Sequence, residues 1–185
     1  MKKIVVAVTG ASGSIYAERL LQKLSNFSAE IEEIALIVSE TGKQVWEYEL
    51  ETEMPDSELI RYYDNDSFFA PPASGSAGYD SMVVIPCTVG TLGRIANGTS
   101  NDLIARSADV MLKERKPLIL VLRESPYNLI HIENMRTVTL AGGIIFPASP
   151  SFYSKPKNIN ELVDTVVNRI LEMLGFEVDG FKWGK

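Results

Sequence analysis

The chain has 185 residues, of which 45% are hydrophobic and 23% charged, with a formal net charge of −6. This length favours one domain with a core of its own, and the composition excludes wholesale disorder. The acidic balance speaks against a nucleic-acid surface. One cysteine, Cys87, and one histidine, His131, exclude an intrachain disulfide and a Cys- or His-built metal cluster, and no apolar run is long enough to span a membrane.

Met1, Lys2 and Lys3 before Ile4 to Val8 have the charge and apolarity of a secretory signal. The apolar stretch is short, however, and ends in Thr9-Gly10-Ala11-Ser12-Gly13. It reads as a first strand and a glycine turn, and the chain as cytoplasmic. Ile15 to Leu24 then reads as a helix whose apolar face is Leu20, Leu21 and Leu24. Ile34 to Val38 is a second buried strand, and a helix follows Ser39 through Val45 and Trp46. Met54 to Tyr79 is a long irregular connection, rich in Pro, Asp and Gly, with a short strand near Leu59 to Tyr62. Ser81 to Ile85 is the next core strand, stopped by Pro86. Gly90 opens a further helical stretch, and Asn101 to Arg115 forms another. Leu118 to Leu122 is a strand, Asn128 to Leu140 a helix ended by Gly142-Gly143, and Ile144 to Phe146 a short strand. Asn158 to Leu174 carries the clearest helical period, with Asn158 and Glu161 spaced as a capping box.

Strands alternating with helices predict one α/β domain over residues 1–185, with a parallel sheet flanked by helices. The polar and glycine residues cluster just after the strands: Thr9 to Ser14, Ser39, Pro86 to Thr91, Arg123 to Pro126 and Pro147 to Pro150. In open α/β sheets ligands bind outside the carboxyl ends of the strands, so these loops define one rim. Its hydroxyls, glycines and backbone N–H groups suit a phosphate-bearing cofactor.

Each motif has two readings. Gly10-Ala11-Ser12-Gly13 lacks the spacing of a dinucleotide fingerprint and of a Walker loop. It is either a turn that admits a ring or phosphate to a helix N-terminus or a plain strand-to-helix turn. Thr88-Val89-Gly90-Thr91 is an anion site or a threonine cap. Pro71 to Ser76 is a stiffened substrate loop or ordinary surface. Arg123-Glu124 offers a phosphate ligand and a proton donor, or an ion pair at a sheet edge. Arg106 and Lys113 share one helix face, as a phosphate grip or as a solvated face. Glu49 belongs to an acidic run, Glu47 to Glu53, and pattern alone does not single it out. Cys87 reads as a small buried thiol and His131 as a structural histidine. Trp46, Phe68, Phe69, Tyr79 and Tyr153 are core aromatics or the walls of a flavin or isoprenoid pocket; Phe68, Phe69 and Tyr153 lie in loops.

The ordered set Val8 to Gly13, Ala70 to Ser76, Pro86 to Leu92, Leu112 to Leu118, Arg123 to Pro126, His131 to Met135 and Pro147 to Tyr153 resembles the UbiX/Pad1-type flavin prenyltransferases. The resemblance runs from Lys3 to about Trp183. It implies a Rossmann-like, flavodoxin-like fold and a metal-independent transferase. The reaction it implies joins a dimethylallyl group from dimethylallyl monophosphate to N5 and C6 of reduced FMN. The product, prenylated FMN, would serve a UbiD-type decarboxylase. The resemblance further implies a dodecameric homo-oligomer with sites between subunits.

By the same resemblance Gly10, Ala11, Ser12, Ser39, Thr88, Val89, Gly90, Thr91 and Arg123 are FMN contacts. Phe68, Ser74, Arg106, Lys113, Tyr153 and Arg169 surround the prenyl phosphate. Glu124 protonates the leaving phosphate, and Ser12 with Glu49 handles a proton near N5. Many members carry Trp at the position of Phe68, which keeps a π-face without the indole N–H. Two rival readings share the fold or the cofactor. A flavin-dependent cysteine-type decarboxylase carries a catalytic His where this chain has Asp66 to Phe69. A non-catalytic FMN module has no need for Lys113, Glu124, Tyr153 and Arg169 together.

Overall fold

The computed structural model describes residues 1–180 and Gly184; Trp183, where the resemblance ends, lies outside them. Strands β1 (Lys2–Val8), β2 (Ile31–Val38), β3 (Ile60–Asp64), β4 (Ser81–Cys87), β5 (Leu118–Leu122) and β6 (Ile144–Pro147) alternate with six helices. These are α1 (Ser14–Leu24), α2 (Glu40–Leu50), α3 (Val89–Ala96), α4 (Leu103–Lys113), α5 (Leu129–Leu140) and α6 (Ile159–Met173). The strands form one parallel sheet in the order β3-β2-β1-β4-β5-β6.

The sheet is buried on both faces because side chains alternate along each strand. Ile4, Val6 and Val8 of β1 pack with Leu20 of α1, Trp46 of α2 and Val166 and Ile170 of α6. Val5 and Ala7 face the other layer, with Leu92 of α3, Ala108 of α4 and Val138 of α5. The doubly wound architecture expected from the sequence is therefore present. Its strand order reverses between β1 and β4, and that switch point is where such folds open a crevice.

Several element ends differ from the pattern reading. β2 begins at Ile31 rather than Ile34, and Lys2 and Lys3 extend β1 to meet it. Glu33 broke the apolar pattern, yet it accepts hydrogen bonds from the Tyr63 and Tyr79 hydroxyls at 3.1 and 2.5 Å. β4 does not stop at Pro86. It runs through to Cys87, with a register shift against β5 between Val84 and Cys87. Proline removes one N–H from the ladder, but its carbonyl still accepts from Thr9 N and Thr9 Oγ1. α4 starts at Leu103 because Asp102 is its cap, accepting from Ala105 N at 2.7 Å. At α6, Asn158 accepts from Glu161 N, while the Glu161 carboxylate reaches back to Lys157 N at 2.7 Å.

Candidate active site

The rim is built from the loops after β1, β2, β4, β5 and β6, the last joined to the end of β5 by Ala148 N donating to Leu122 O at 3.0 Å. Thr9 ties two of them together. Its hydroxyl donates to Pro86 O at 2.7 Å and accepts from Thr88 N at 3.0 Å. Gly10 is required by close approach: a Cβ there would lie 2.5 Å from Thr41 Oγ1 and 2.6 Å from Thr41 Cβ, in the first turn of α2. Gly13 has φ of +110°, a left-handed conformation that suits glycine.

Gly13 has no side chain to cap α1, and Glu49 does the capping from α2. Its carboxylate accepts from Gly13 N at 2.9 Å and from Ser14 N at 2.8 Å. The Ser12 hydroxyl also donates to it. Burial alone would push the Glu49 carboxyl up. Hydrogen bonds from Ser12, Gly13 and Ser14 outweigh that and hold it below its ordinary value. The structure thus singles out Glu49 from the acidic run and brings it to Ser12. The anion at the start of α1 is the protein's own, so a ligand phosphate has to find another helix end.

Two others open on the same rim. At α2, Ser39 Oγ accepts from Gly42 N at 3.0 Å. At α3, Thr88 Oγ1 accepts from Thr91 N at 3.1 Å and donates to Thr91 Oγ1 at 3.0 Å. Arg94 also donates to Thr91 Oγ1, at 3.0 Å, and pairs with Asp102 at 3.5 Å. The hydroxyls of Thr88 and Thr91 are therefore committed to shaping the turn. The first two amides of α3, those of Val89 and Gly90, are the donors this end presents. The threonine cap is therefore present, and it leaves these two amides at the helix start. A Cβ on Gly90 would meet nothing nearer than 3.8 Å, so this glycine is not there to pack within the chain.

Arg123 and Glu124 follow β5. Arg123 N donates to Cys87 O at 3.1 Å, which sets this loop beside the β4 loop. The Glu124 carboxylate accepts from Ser125 N at 3.0 Å. Tyr16 completes this side. Its ring lies 2.9 Å from where a Cβ on Gly13 would sit. Burial raises its phenol above the ordinary value, and the nearby charge of Arg123 works against the rise. Burial pushes the Cys87 thiol up to about 12, so the buried-thiol reading holds.

The remaining predicted residues lie elsewhere on the chain. Arg106 donates to Ala73 O at 3.1 Å and pairs with Asp109 at 2.6 Å. Ser74 Oγ is 2.9 Å from Ser76 Oγ. Lys113 pairs with Glu114, whose carboxyl sits against Gly75 and is held below the ordinary range by that lysine. Ser74, Arg106 and Lys113 therefore share one strip along α4. Lys113 ends α4 just before β5 begins, whereas Glu124 follows the end of β5. The two sit at opposite ends of the strands. Tyr153 and Phe152 are exposed in the loop after β6, and Arg169 on α6 pairs with Glu172 at 2.7 Å. Phe68 and Phe69 are exposed beyond β3, where Asn65 holds the start of α4 through Leu103 N and Ile104 N.

Trp46 and Tyr79 belong to the core. Trp46 Nε1 donates to Thr52 O at 3.0 Å, and Tyr79 is buried on Glu33. His131 caps α5, where Asn128 and His131 exchange hydrogen bonds. Thr9, Tyr16, Asn65 and Arg94 were not among the predicted site residues. Only Thr9 carried a signal, its place in the first rim loop. Among the described residues no group of His, Cys, Asp or Glu is placed to hold a metal ion, and no helix is long and apolar enough to cross a membrane.

Comparison with known proteins agrees with this geometry. A family model described as Flavoprotein matches residues 1–171. A flavin prenyltransferase UbiX of Methanocaldococcus jannaschii is 46% identical over 185 residues, covering 98% of each chain. The chain belongs to the UbiX/Pad1-type flavin prenyltransferase family. Among solved members of that family, a UbiX in complex with FMN and dimethylallyl pyrophosphate superposes with a TM-score of 0.89 at 36% identity, covering 98% of this chain and 99% of that one. A dodecameric FMN-dependent UbiX-like decarboxylase from Escherichia coli O157:H7 superposes with a TM-score of 0.90 at 35% identity, covering 99% and 100%. The likeness to these structures thus runs over nearly the whole chain.

Proposed function

We propose that this protein, as one catalytic domain, transfers a dimethylallyl group from dimethylallyl monophosphate to N5 and C6 of reduced FMN, without a metal. The product is prenylated FMN, for use by a UbiD-type decarboxylase. Family membership supports the reaction class. The UbiX solved with FMN and dimethylallyl pyrophosphate supports the pairing of flavin with a C5 allylic phosphate.

The residues of this chain fit FMN. The open helix starts at α2 and α3 suit its phosphate, and Gly90 allows close approach. Gly10, Ala11, Ser12, Ser39, Thr88 to Thr91 and Arg123 would hold it. Reduced FMN supplies the nucleophilic atoms. Ser12, held by Glu49, would offer its hydroxyl oxygen to a proton near N5. Glu49 is held ionised, so it orients Ser12 and supplies the negative charge that draws a proton that way. Glu124 protonates the departing phosphate, which leaves poorly without acid help.

The observation that carries the reading is the placement of Lys113, which ends α4 just before β5 begins, away from Glu124, which follows the end of β5. Within one chain the Lys113 cation for the prenyl phosphate is thus held away from the acid for its departure. They meet when a second copy supplies one set, with Ser74 beside Arg106 and with Phe68, Tyr153 and Arg169 as further walls. A homo-oligomer, dodecameric like the Escherichia coli neighbour, follows from this. Glu124→Gln tests the reading. It should retain FMN binding and lose prenyl transfer; a loss of FMN binding with transfer intact per bound flavin would refute it.

A further inference from the structure

Surface helices of this fold turn their apolar side chains inward, and α5 does not. Leu129, Ile130, Ile132 and Leu140 are 70%, 69%, 50% and 72% exposed, while Val138 is its one fully buried residue. No other helix among the described residues exposes more than one large apolar side chain. At about 100° per residue, Leu129, Arg136 and Leu140 fall within about 40° of one another, and Val138 lies about 180° from Leu129. Leu129 and Leu140 are thus on the face opposite the core, with Ile132 about 60° to one side of Leu129 and Ile130 on the flank. Covering that face costs little in lost hydration of the threonines nearby. The hydroxyls of Thr137 and Thr139 already donate to Glu133 O and Met135 O at 2.9 and 2.8 Å.

The order of residues on this face is symmetric in a specific way. Leu129 and Leu140 end it, and Glu133 and Arg136 lie between them as an exposed pair 3.9 Å apart. Both pairs are centred on the same point of the helix. An antiparallel α5 from a second copy that sets Leu129 against Leu140 therefore also sets Glu133 against Arg136, twice over. We propose that α5 is a two-fold, self-complementary contact between copies of this chain, with leucines at its ends and crossed ion pairs at its centre. The contact lies directly after the Arg123–Glu124 loop in the chain, so it fixes that loop relative to a neighbouring copy. The proposal rests on the homo-oligomer reading and names the surface that reading leaves open.

Cysteine cross-linking tests it on the full chain, because the one native cysteine, Cys87, is buried. In a single helix Leu129 and Leu140 are about 16 Å apart, too far to bridge. The double variant Leu129→Cys, Leu140→Cys should therefore form a covalent dimer under mild oxidation, with most of the chain converted. Each single variant should stay a single chain on a denaturing gel. Cross-linking by a single variant, or none by the double variant, overturns the proposal. The native mass of the unmodified protein separates the two ideas. A full oligomer without the cross-link removes only the α5 contact, whereas a single-chain mass removes the oligomer reading as well.

Discussion

Replacing Glu49 should loosen the fold before any chemistry is asked of it. The side chain caps α1 through Gly13 N and Ser14 N at 2.9 and 2.8 Å, and Gly13 offers no cap of its own. Losing an anion at a helix N-terminus costs about 0.3–1 kcal/mol, up to about 2 kcal/mol when partly buried. Two amides left without their acceptor add to that, so Glu49→Ala should lose about 2–3 kcal/mol and Glu49→Gln about half as much. For a chain of this size that is roughly 4–12 °C in Tm for Glu49→Ala.

The sign with pH follows from the direction of the Glu49 shift. Its native carboxyl titrates below the unfolded one. The stabilisation is therefore full above the unfolded value, about 4.3, and fades as pH falls through the native value. Urea unfolding of flavin-free wild type and Glu49→Gln, at equal protein concentration, should show the full gap at pH 7. The gap should narrow as pH falls below about 4. Equal stability at pH 7, or a gap that does not change with pH, would refute the capping argument.

Three further outcomes follow. Lys2 Nζ donates to Leu174 O and Gly175 O at 2.6 and 3.0 Å and lies 4.4 Å from the centre of the Phe176 ring. Lys2→Met should cost about 1–2 kcal/mol in the same unfolding assay. Gly10→Ala should displace the start of α2, cost about 1–3 kcal/mol and weaken FMN binding. Thr41→Gly in the same chain should recover much of the binding, read by flavin fluorescence titration. Lys113→Ala and Glu124→Ala should each be inactive alone. Co-expressed, they should regain activity, up to about a quarter of wild type if one copy supplies each set; no recovery would place both residues in one chain's site.

The alternation of apolar runs and glycine turns made the parallel sheet legible, because buried strands and amphipathic helices leave distinct periods. The rim was legible as well, since hydroxyls and glycines after Val8, Val38, Cys87 and Leu122 interrupt apolar runs. Pro86 misled, because a proline inside a strand is disfavoured by the ladder but tolerated where the register shifts. The start of β2 at Ile31 was hidden too, since the partners of Glu33, Tyr63 and Tyr79, are far away in sequence. Glu49 could not be chosen from Glu47, Glu51 and Glu53 by pattern. Only tertiary structure shows that the uncapped Gly13 needs it. The distance between Lys113 and Glu124 was likewise hidden. Lys113 ends a helix and Glu124 follows a strand, and only the direction of the chain places them at opposite ends of the strands.

The most direct test is the mass of the flavin. The protein is mixed anaerobically with reduced FMN and dimethylallyl monophosphate, with a chelator and no added metal, and the extracted flavin is weighed. The account predicts a gain of one C5 unit with release of one phosphate. FMN that binds stoichiometrically and returns unchanged would contradict it.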